Sequence, residues 1–348
     1  MISTSTAKHR NSSVLSSKTF IVSKEVNPFL ADVLDEEALA RLSEMLEIDS
    51  RLVTPKTIES LWPELQDCEF LLATWGFPVA LAEQLAELPR LKAMLYAGGS
   101  VRAFARPFLQ RGIPVINGRL VNADVVATFC FAQIVLANKG FFQNTRMCRN
   151  PLTAGQHAAY TGRGNAGVSL SLIGYGAIAK SLRRLLRPLE IEVLVTDPTL
   201  STDVERSEDI RLVSLEEAFG HAQVVSNHLP DLPNLEKAIR REHFESMPPY
   251  ATFINTGRGR QVCEDGLVEV FARRPDLIAL LDVTHPEPPV PESQLYSLPN
   301  IHLTSHIAGV VGNERRSFIE TILSDVARLQ VGQPPEHSPL LEELESMG

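Results

Sequence analysis

The second half of the sequence carries three side chains suited to acid–base and carboxylate chemistry, each just after a predicted strand. Arg258 lies between two glycines that leave its guanidinium sterically uncovered, and this planar group can bind a carboxylate through two hydrogen bonds. Glu287 lies in a proline-rich loop, and His306 ends the last predicted strand. Because parallel sheets bind ligands beyond the carboxyl ends of their strands, we expect Arg258, Glu287 and His306 to gather at one edge. Taken singly, each has a strong plainer interpretation: a surface arginine, a loop acid and a core histidine with satisfied hydrogen bonds.

A glycine-rich turn precedes these residues in the chain. Residues 168–198 predict a strand, a turn, a helix and a second strand, because an alternating apolar run gives way to leucines at helical spacing and then resumes. The turn carries Gly174, Gly176 and Ala179 in a G-x-G-x-x-A pattern, which predicts a dinucleotide pyrophosphate on the helix N-terminus. Asp197 ends the second strand, where a carboxylate accepts hydrogen bonds from the adenosine ribose and repels a 2′-phosphate. This carboxylate favours NAD over NADP as the cofactor. The alternative interpretation of the whole segment is an ordinary strand-to-helix turn that binds no dinucleotide.

Strands and helices alternate along both halves of the chain, which is typical of parallel sheets. In the first half, the predicted strand Leu91–Tyr96 runs into Gly98, Gly99 and Ser100, and a helix is predicted over Val101–Gln110. Two glycines followed by a helix expose backbone N–H groups that could hold a carboxylate. A plain strand-to-helix turn explains the tripeptide equally well.

A strongly apolar helix is predicted over Asn122–Lys139. A helix that is apolar on most sides is buried, so we expect it to cross between domains or to lie in the interface of a homodimer. The longest apolar runs are far shorter than the roughly 20 residues of a membrane span, and we expect no membrane association.

Composition limits the classes of partner. The 348 residues favour two domains, and 44% hydrophobic residues are enough for a sizeable core. The net charge of −9 and the absence of a basic block argue against nucleic acid and anionic membranes as partners. The widely spaced Cys68, Cys130, Cys148 and Cys263 fit reduced thiols in a cytoplasmic protein. Residues 1–18, rich in serine and threonine, are expected to form a disordered tail.

Three segments together resemble the D-isomer-specific 2-hydroxyacid dehydrogenases. They are the glycine turn, ATFINTGRGRQVCEDGLVEVF and IALLDVTHPEPPVPESQLYSLPNIHLTSHIAG, and the resemblance extends from about Thr19 to Gln330. It implies an α/β protein with two doubly wound parallel sheets, in which a Rossmann NAD-binding domain (119–311) is inserted into a flavodoxin-like substrate domain (19–118 and 312–348). It also implies an NAD-dependent oxidoreductase that acts on a small 2-keto or 2-hydroxy acid.

The resemblance assigns roles to individual residues. His306 would exchange a proton with the substrate oxygen, Glu287 would hydrogen-bond the other nitrogen of its ring, and Arg258 would orient the substrate and polarise its carbonyl. The substrate carboxylate would lie on the N–H groups around Gly98, Gly99 and Ser100. The remaining residues would bind the cofactor: Gly174, Gly176, Ala177, Ile178, Asp197, His228, Thr256, Asp282 and Ala308.

Two features depart from the family pattern. Ser305 stands before His306 where the family usually has proline, and Asp231-Leu232-Pro233 replaces a threonine-rich turn. Neither removes a reacting group. A zinc enzyme is disfavoured because no cysteine accompanies the histidines near His306. The alternative from another class is an NAD(H)-sensing binding protein that resembles a corepressor and has no significant turnover.

Overall fold

The computed structural model describes residues 17–152, 154 and 159–345. Residues 1–16 of the predicted tail therefore lie outside the described residues. Its last two residues do not fit the prediction, because Ser17 is 2% exposed and Lys18 begins the first strand. Residues 153 and 155–158 also lie outside the described residues, and the strand that follows begins at Ala166.

Strands and helices alternate as expected for two parallel sheets. The strands are β1 (Lys18–Val22), β2 (Glu47–Val53), β3 (Phe70–Thr74), β4 (Ala93–Ala97), β5 (Val115–Asn117), β6 (Ala166–Ile173), β7 (Glu190–Thr196), β8 (Arg211–Leu212), β9 (Val224–Asn227), β10 (Thr252–Asn255), β11 (Ile278–Leu281) and β12 (Ile301–Leu303). The helices are α1 (Leu30–Val33), α2 (Glu36–Leu42), α3 (Ile58–Leu65), α4 (Ala82–Leu85), α5 (Arg106–Gln110), α6 (Arg119–Asn138), α7 (Phe141–Met147), α8 (Ala177–Leu186), α9 (Thr202–Glu208), α10 (Leu215–His221), α11 (Arg241–Ser246), α12 (Glu264–Arg273) and α13 (Arg316–Gln330).

The chain divides into two compact units. Unit 1 comprises the described residues up to Arg119 together with Asn313–Glu345. Its sheet has the strand order β2-β1-β3-β4-β5, with every pair parallel, which is the flavodoxin-like order. The C-terminal helix α13 returns to this unit and packs on β4 and β5. Phe318 presses so closely on Gly118 that an added Cβ would lie 2.1 Å from its ring.

Unit 2 comprises Leu120–Gly312. Its seven-stranded parallel sheet has the order β12-β11-β10-β9-β6-β7-β8, the Rossmann arrangement with one further strand, and its order reverses between β6 and β9. Alternate residues of each strand enter the cores on opposite faces of the sheet. Leu172 packs with α6 and α8, whereas Ile173 packs with α10, α11 and α12. The predicted fold class is confirmed.

Helix α6 is less enclosed than the sequence predicted. Ala123, Val126, Ala127, Cys130 and Ile134 lie in the unit 2 core, but every fourth residue of the opposite face is exposed. By length and composition alone, α6 could cross a membrane, contrary to our reading of the apolar runs. A core helix passes the same test, because burial and lipid both favour apolar side chains.

Candidate active site

The glycine turn lies between β6 and α8, at the point where the strand order reverses. Gly174 has a φ of +86°, and an added Cβ would lie 2.9 Å from the carbonyl oxygen of His228, so both conformation and space favour glycine. Gly176 is the N-cap of α8, and an added Cβ there would meet no heavy atom within 4 Å. Open space therefore lies beside the first backbone N–H groups of the helix, those of Ala177 and Ile178.

Asp197 follows β7 and is bound to the same turn. Its Oδ2 accepts a hydrogen bond from the backbone N–H of Tyr175 at 2.9 Å, and its Oδ1 accepts from the backbone N–H and hydroxyl of Thr199 at 3.0 and 2.7 Å. A carboxylate offers about four acceptor positions, so it retains room for a ribose hydroxyl. The turn, the helix terminus and this fixed carboxylate together fit a dinucleotide such as NAD.

A buried polar group lies at the ends of β9 and β10. His228 is 7% exposed, its Nε2 lies 2.9 Å from the hydroxyl of Ser226, and its Nδ1 has no hydrogen-bond partner among the described residues. Burial lowers the pKa of His228 to about 4, so its ring is neutral at neutral pH. Thr256 contacts Cys130, with 3.3 Å between Oγ1 and Sγ. An orphaned ring nitrogen in this position suits a ligand with a hydrogen-bonding group, which donates to Nδ1 or accepts from it according to the tautomer of the ring.

Asp282 holds the histidine loop. Its carboxylate, 3% exposed, accepts hydrogen bonds from the hydroxyl of Thr304 at 2.6 Å and from the backbone N–H groups of Ile307 and Ala308 at 2.8 and 3.0 Å. Its main-chain oxygen accepts from the N–H of His306 at 3.0 Å. These bonds fix a loop in which His306 has a φ of 59°, although Ser305 lacks the constraint of a proline. Cofactor binding by Asp282 and by the buried Ala308 remains a prediction.

The imidazole of His306 meets the carboxylate of Glu287. Nδ1 of His306 lies 2.7 Å from Oε1 of Glu287, and both side chains are about half exposed. A carboxylate at Nδ1 fixes the orientation of the ring and leaves Nε2 to exchange a proton with another molecule. Two of the three predicted reactive residues are therefore in direct contact, although 19 positions separate them in the chain.

Arg258 lies in the neighbouring loop after β10. An added Cβ at Gly259 would lie 2.0 Å from the main-chain carbon of Thr284, so this loop packs directly on the loop that leads to Glu287. The guanidinium of Arg258 donates from Nη1 to the main-chain oxygen of Gly257 at 2.8 Å, and its Nε lies 3.7 Å from Asp231. No hydrogen bond joins it to His306 or Glu287 among the described residues.

The tripeptide Gly98-Gly99-Ser100 belongs to unit 1. It follows β4, where the N–H of Gly98 donates to the main-chain oxygen of Tyr96 at 2.9 Å. The N–H groups of Gly99 and Ser100 donate to no acceptor in the described part of the chain. The predicted helix does not begin at Val101: residues 102–104 form a turn, and α5 begins at Arg106. Two spare N–H groups can still bind a carboxylate, but without the support of an adjoining helix.

Sequence reasoning missed the amides beneath the Arg258 loop. Nδ2 of Asn227 donates to Oδ1 of Asn255 at 2.9 Å and to Oε1 of Gln261 at 2.8 Å, and all three side chains are buried. The available signal was the pair of asparagines that end β9 and β10, since buried polar residues at neighbouring strand ends need partners. Across residues 17–152, 154 and 159–345, no cluster of three or more His, Cys, Asp or Glu could hold a metal ion.

The sequence matches one protein family and resembles several known proteins. Residues 131–308 match the family described as D-isomer specific 2-hydroxyacid dehydrogenase, NAD binding domain. A glyoxylate reductase of Korarchaeum cryptofilum is 25% identical over 311 residues, which cover 88% of this chain and 93% of the relative. An (S)-sulfolactate dehydrogenase of Chromohalobacter salexigens is 33% identical over 248 residues, 68% of this chain and 77% of the relative.

The fold has close counterparts among solved structures. A phosphoglycerate oxidoreductase from Rhizobium etli superposes with a TM-score of 0.76 at 21% identity, covering 93% of this chain and 97% of that protein. At this identity the likeness concerns the fold alone.

Proposed function

Because the chain belongs to the D-isomer-specific 2-hydroxyacid dehydrogenases, a family of NAD-dependent oxidoreductases, we propose that it transfers a hydride between NAD(H) and C2 of a D-2-hydroxy or 2-keto acid. The observation that carries the proposal is the 2.7 Å contact between His306 and Glu287, in the unit that also carries the dinucleotide turn. The reaction needs a proton donor and acceptor held in one orientation, and this pair supplies it.

Each reactive residue has one task in this reaction. Bound NADH supplies the hydride. In the reducing direction His306 gives a proton from Nε2 to the carbonyl oxygen, and Glu287 at Nδ1 holds the ring in one orientation. The guanidinium of Arg258 stabilises the negative charge that develops on the same oxygen. The oxidation of a hydroxy acid uses the same groups in reverse.

The remaining site residues bind the cofactor and the substrate. We assign the pyrophosphate to Gly174, Gly176, Ala177 and Ile178, and the adenosine ribose to Asp197. We assign the nicotinamide end to four residues at the ends of β9, β10, β11 and β12, namely His228, Thr256, Asp282 and Ala308. The carboxylate of the substrate is assigned to the spare N–H groups of Gly99 and Ser100, in the turn that begins at Gly98.

The first test is a panel of 2-keto acids, from glyoxylate and hydroxypyruvate to phenylpyruvate, assayed with NADH and NADPH side by side. We expect NADH oxidation with at least one acid and a preference for NADH. His306→Gln should lower kcat by about 10²- to 10⁴-fold, the usual contribution of a general acid, with the Kd of NADH unchanged.

His302→Gln is the matched control for that substitution, since His302 lies on β12 and contacts Phe142 rather than Glu287. Its activity should stay within about twofold of the unchanged protein, as for a surface substitution away from the reacting groups. Tight NADH binding without turnover across the whole panel would contradict the proposal and favour an NAD(H)-sensing binding protein.

We also propose a cytoplasmic homodimer joined through α6. Its exposed face presents Leu120 and Leu136, and Phe141 begins α7 three residues after α6 ends; all three side chains are more than a third exposed. Apolar side chains on the same helix face suit an interface that repeats on both copies. Light scattering should give twice the monomer mass, and a monomeric mass would contradict the dimer. Cell fractionation tests the cytoplasmic location against membrane association of α6.

A further inference from the structure

The carboxylate of Asp231 lies between two arginines beside the proposed active site. Oδ2 of Asp231 is 3.7 Å from Nε of Arg258, and Oδ1 forms an ion pair with Arg260. All three side chains are a little over one third exposed. Asp231 is the first residue of the segment Asp231-Leu232-Pro233, which departs from the family pattern.

Buried hydrogen bonds fix the backbone on both sides of this contact. The side chain of Gln261, which is fully buried, donates from Nε2 to the main-chain oxygens of Leu229 and Pro230 at 3.1 and 2.7 Å. Its Oε1 accepts a hydrogen bond from the backbone N–H of Arg258 at 3.1 Å. One amide therefore ties the segment that carries Asp231 to the loop that carries Arg258, and neither can shift without the other.

The guanidinium of Arg258 is held on two sides. Nη1 donates to the main-chain oxygen of Gly257 at 2.8 Å, and Nε faces Asp231. Nη2 has no hydrogen-bond partner in the described part of the chain. The planar group therefore presents its Nη2 edge, while Nη1 and Nε face Gly257 and Asp231.

We propose that Asp231, itself held by Arg260, is a positioning residue that fixes the guanidinium of Arg258 with its Nη2 edge turned toward the substrate. The inference rests on the proposed function of Arg258. An isolated ion pair at this exposure contributes little to folding. Its effect on rate is larger, because catalysis depends on orientation and a misplacement of 1 Å can cost on the order of a hundredfold.

Removing the charge of Asp231 should change kcat and KM in a pattern that general damage does not produce. In Asp231→Asn, Arg258 loses orientation, and kcat should fall about tenfold. The substitution also removes a negative charge that repels the substrate carboxylate, so the KM of the substrate should stay constant or fall. A merely structural defect raises KM and lowers Tm instead.

We would measure kcat and KM for the best substrate of the panel, the Kd of NADH, and Tm, in Asp231→Asn and Asp231→Glu. The glutamate variant should recover at least part of kcat because it restores the charge. Asp203→Asn is the matched control: Asp203 also lies 3.7 Å from an arginine, Arg206, and this pair is exposed and lies on α9. It should leave kcat and KM within about twofold, as surface changes do.

Two further measurements separate this inference from the proposed function. In an Arg258→Lys background, which lacks Nε, Asp231→Asn should lower kcat by less than about twofold. If Asp231 acts through Arg258, the effects of the two substitutions on kcat are not additive. Independently of turnover, the ¹⁵N signal of the Arg258 Nε–H group, identified by its loss in Arg258→Lys, should be sharp in the unchanged protein and broadened in Asp231→Asn. An unchanged signal, an unchanged kcat, or an equal loss in both backgrounds overturns the positioning role. The absence of turnover in the unchanged protein counts against the proposed function alone.

Discussion

Two glycine turns, one in each unit, follow buried parallel strands and were expected to hold anions in the same way. The turn at Gly174 leads straight into α8, which begins three residues later, whereas the turn at Gly98 leads into irregular turns and α5 begins only at Arg106. The first therefore combines backbone N–H groups with a helix dipole, and the second offers N–H groups alone. This difference suits the proposed ligands, a pyrophosphate in unit 2 and a single carboxylate in unit 1.

The two turns also need glycine for different reasons. Gly174 has a left-handed conformation, and an added Cβ would press on the backbone of His228. Neither this conformation nor the backbone of His228 can adjust to a side chain. Gly98 has no positive φ, and its constraint is the ring of Tyr96, from which an added Cβ would lie 2.7 Å. The NAD turn is therefore set by the backbone, whereas the proposed substrate turn is set by one side chain.

The largest effect that tests this contrast is expected from Gly174→Ala. A left-handed conformation costs alanine about 1–2 kcal/mol, before the clash with the oxygen of His228. For a unit of this size the strain lowers Tm by about 2–8 °C, and the Kd of NADH should rise at least tenfold. Calorimetry and NADH fluorescence titration measure the two quantities.

Gly176→Ala is the control within the same turn. Its φ of −80° suits alanine, and no heavy atom lies within 4 Å of the added Cβ. The variant should keep its Tm within about 2 °C. It should nevertheless bind NADH more weakly, because the methyl group occupies the approach to the helix N-terminus. Equal loss of stability in both variants would show that the strain at Gly174 is not what distinguishes the two positions.

The same contrast explains what could be predicted from the sequence. In unit 2 the strand, turn and helix around Gly174 are marked by a change of hydrophobic period, and the helix follows at once. In unit 1, β2 was missed because it is an edge strand whose Glu47 and Arg51 are exposed, so no apolar run marks it. The start of α5 was placed too early, although Pro107 stands near its first residue and is a known signal for a helix start.

The residues of the candidate site also differ in whether they could be predicted from the sequence. Arg258, Glu287 and His306 could be singled out because each follows a strand and the segments around them are long and specific. The contacts of Asp231 and Gln261 could not be predicted, since they join loops after different strands and depend on side-chain reach rather than on pattern. Asp282 likewise gave no sign that three donors of the histidine loop would converge on it.

A smaller effect is expected from Gly98→Ala, the corresponding change in unit 1. The added methyl group would displace the ring of Tyr96, which is 5% exposed, and with it the N–H groups of Gly99 and Ser100. Because a hydrogen bond to a charged group contributes about 1.5–3 kcal/mol, the KM of the 2-keto acid should rise roughly tenfold or more, while the Kd of NADH stays unchanged. Gly112→Ala controls for backbone strain in the same unit, since Gly112 has a φ of +75° and open space around it. It should lower Tm without changing KM, and an unchanged KM in Gly98→Ala would mean that the carboxylate binds elsewhere.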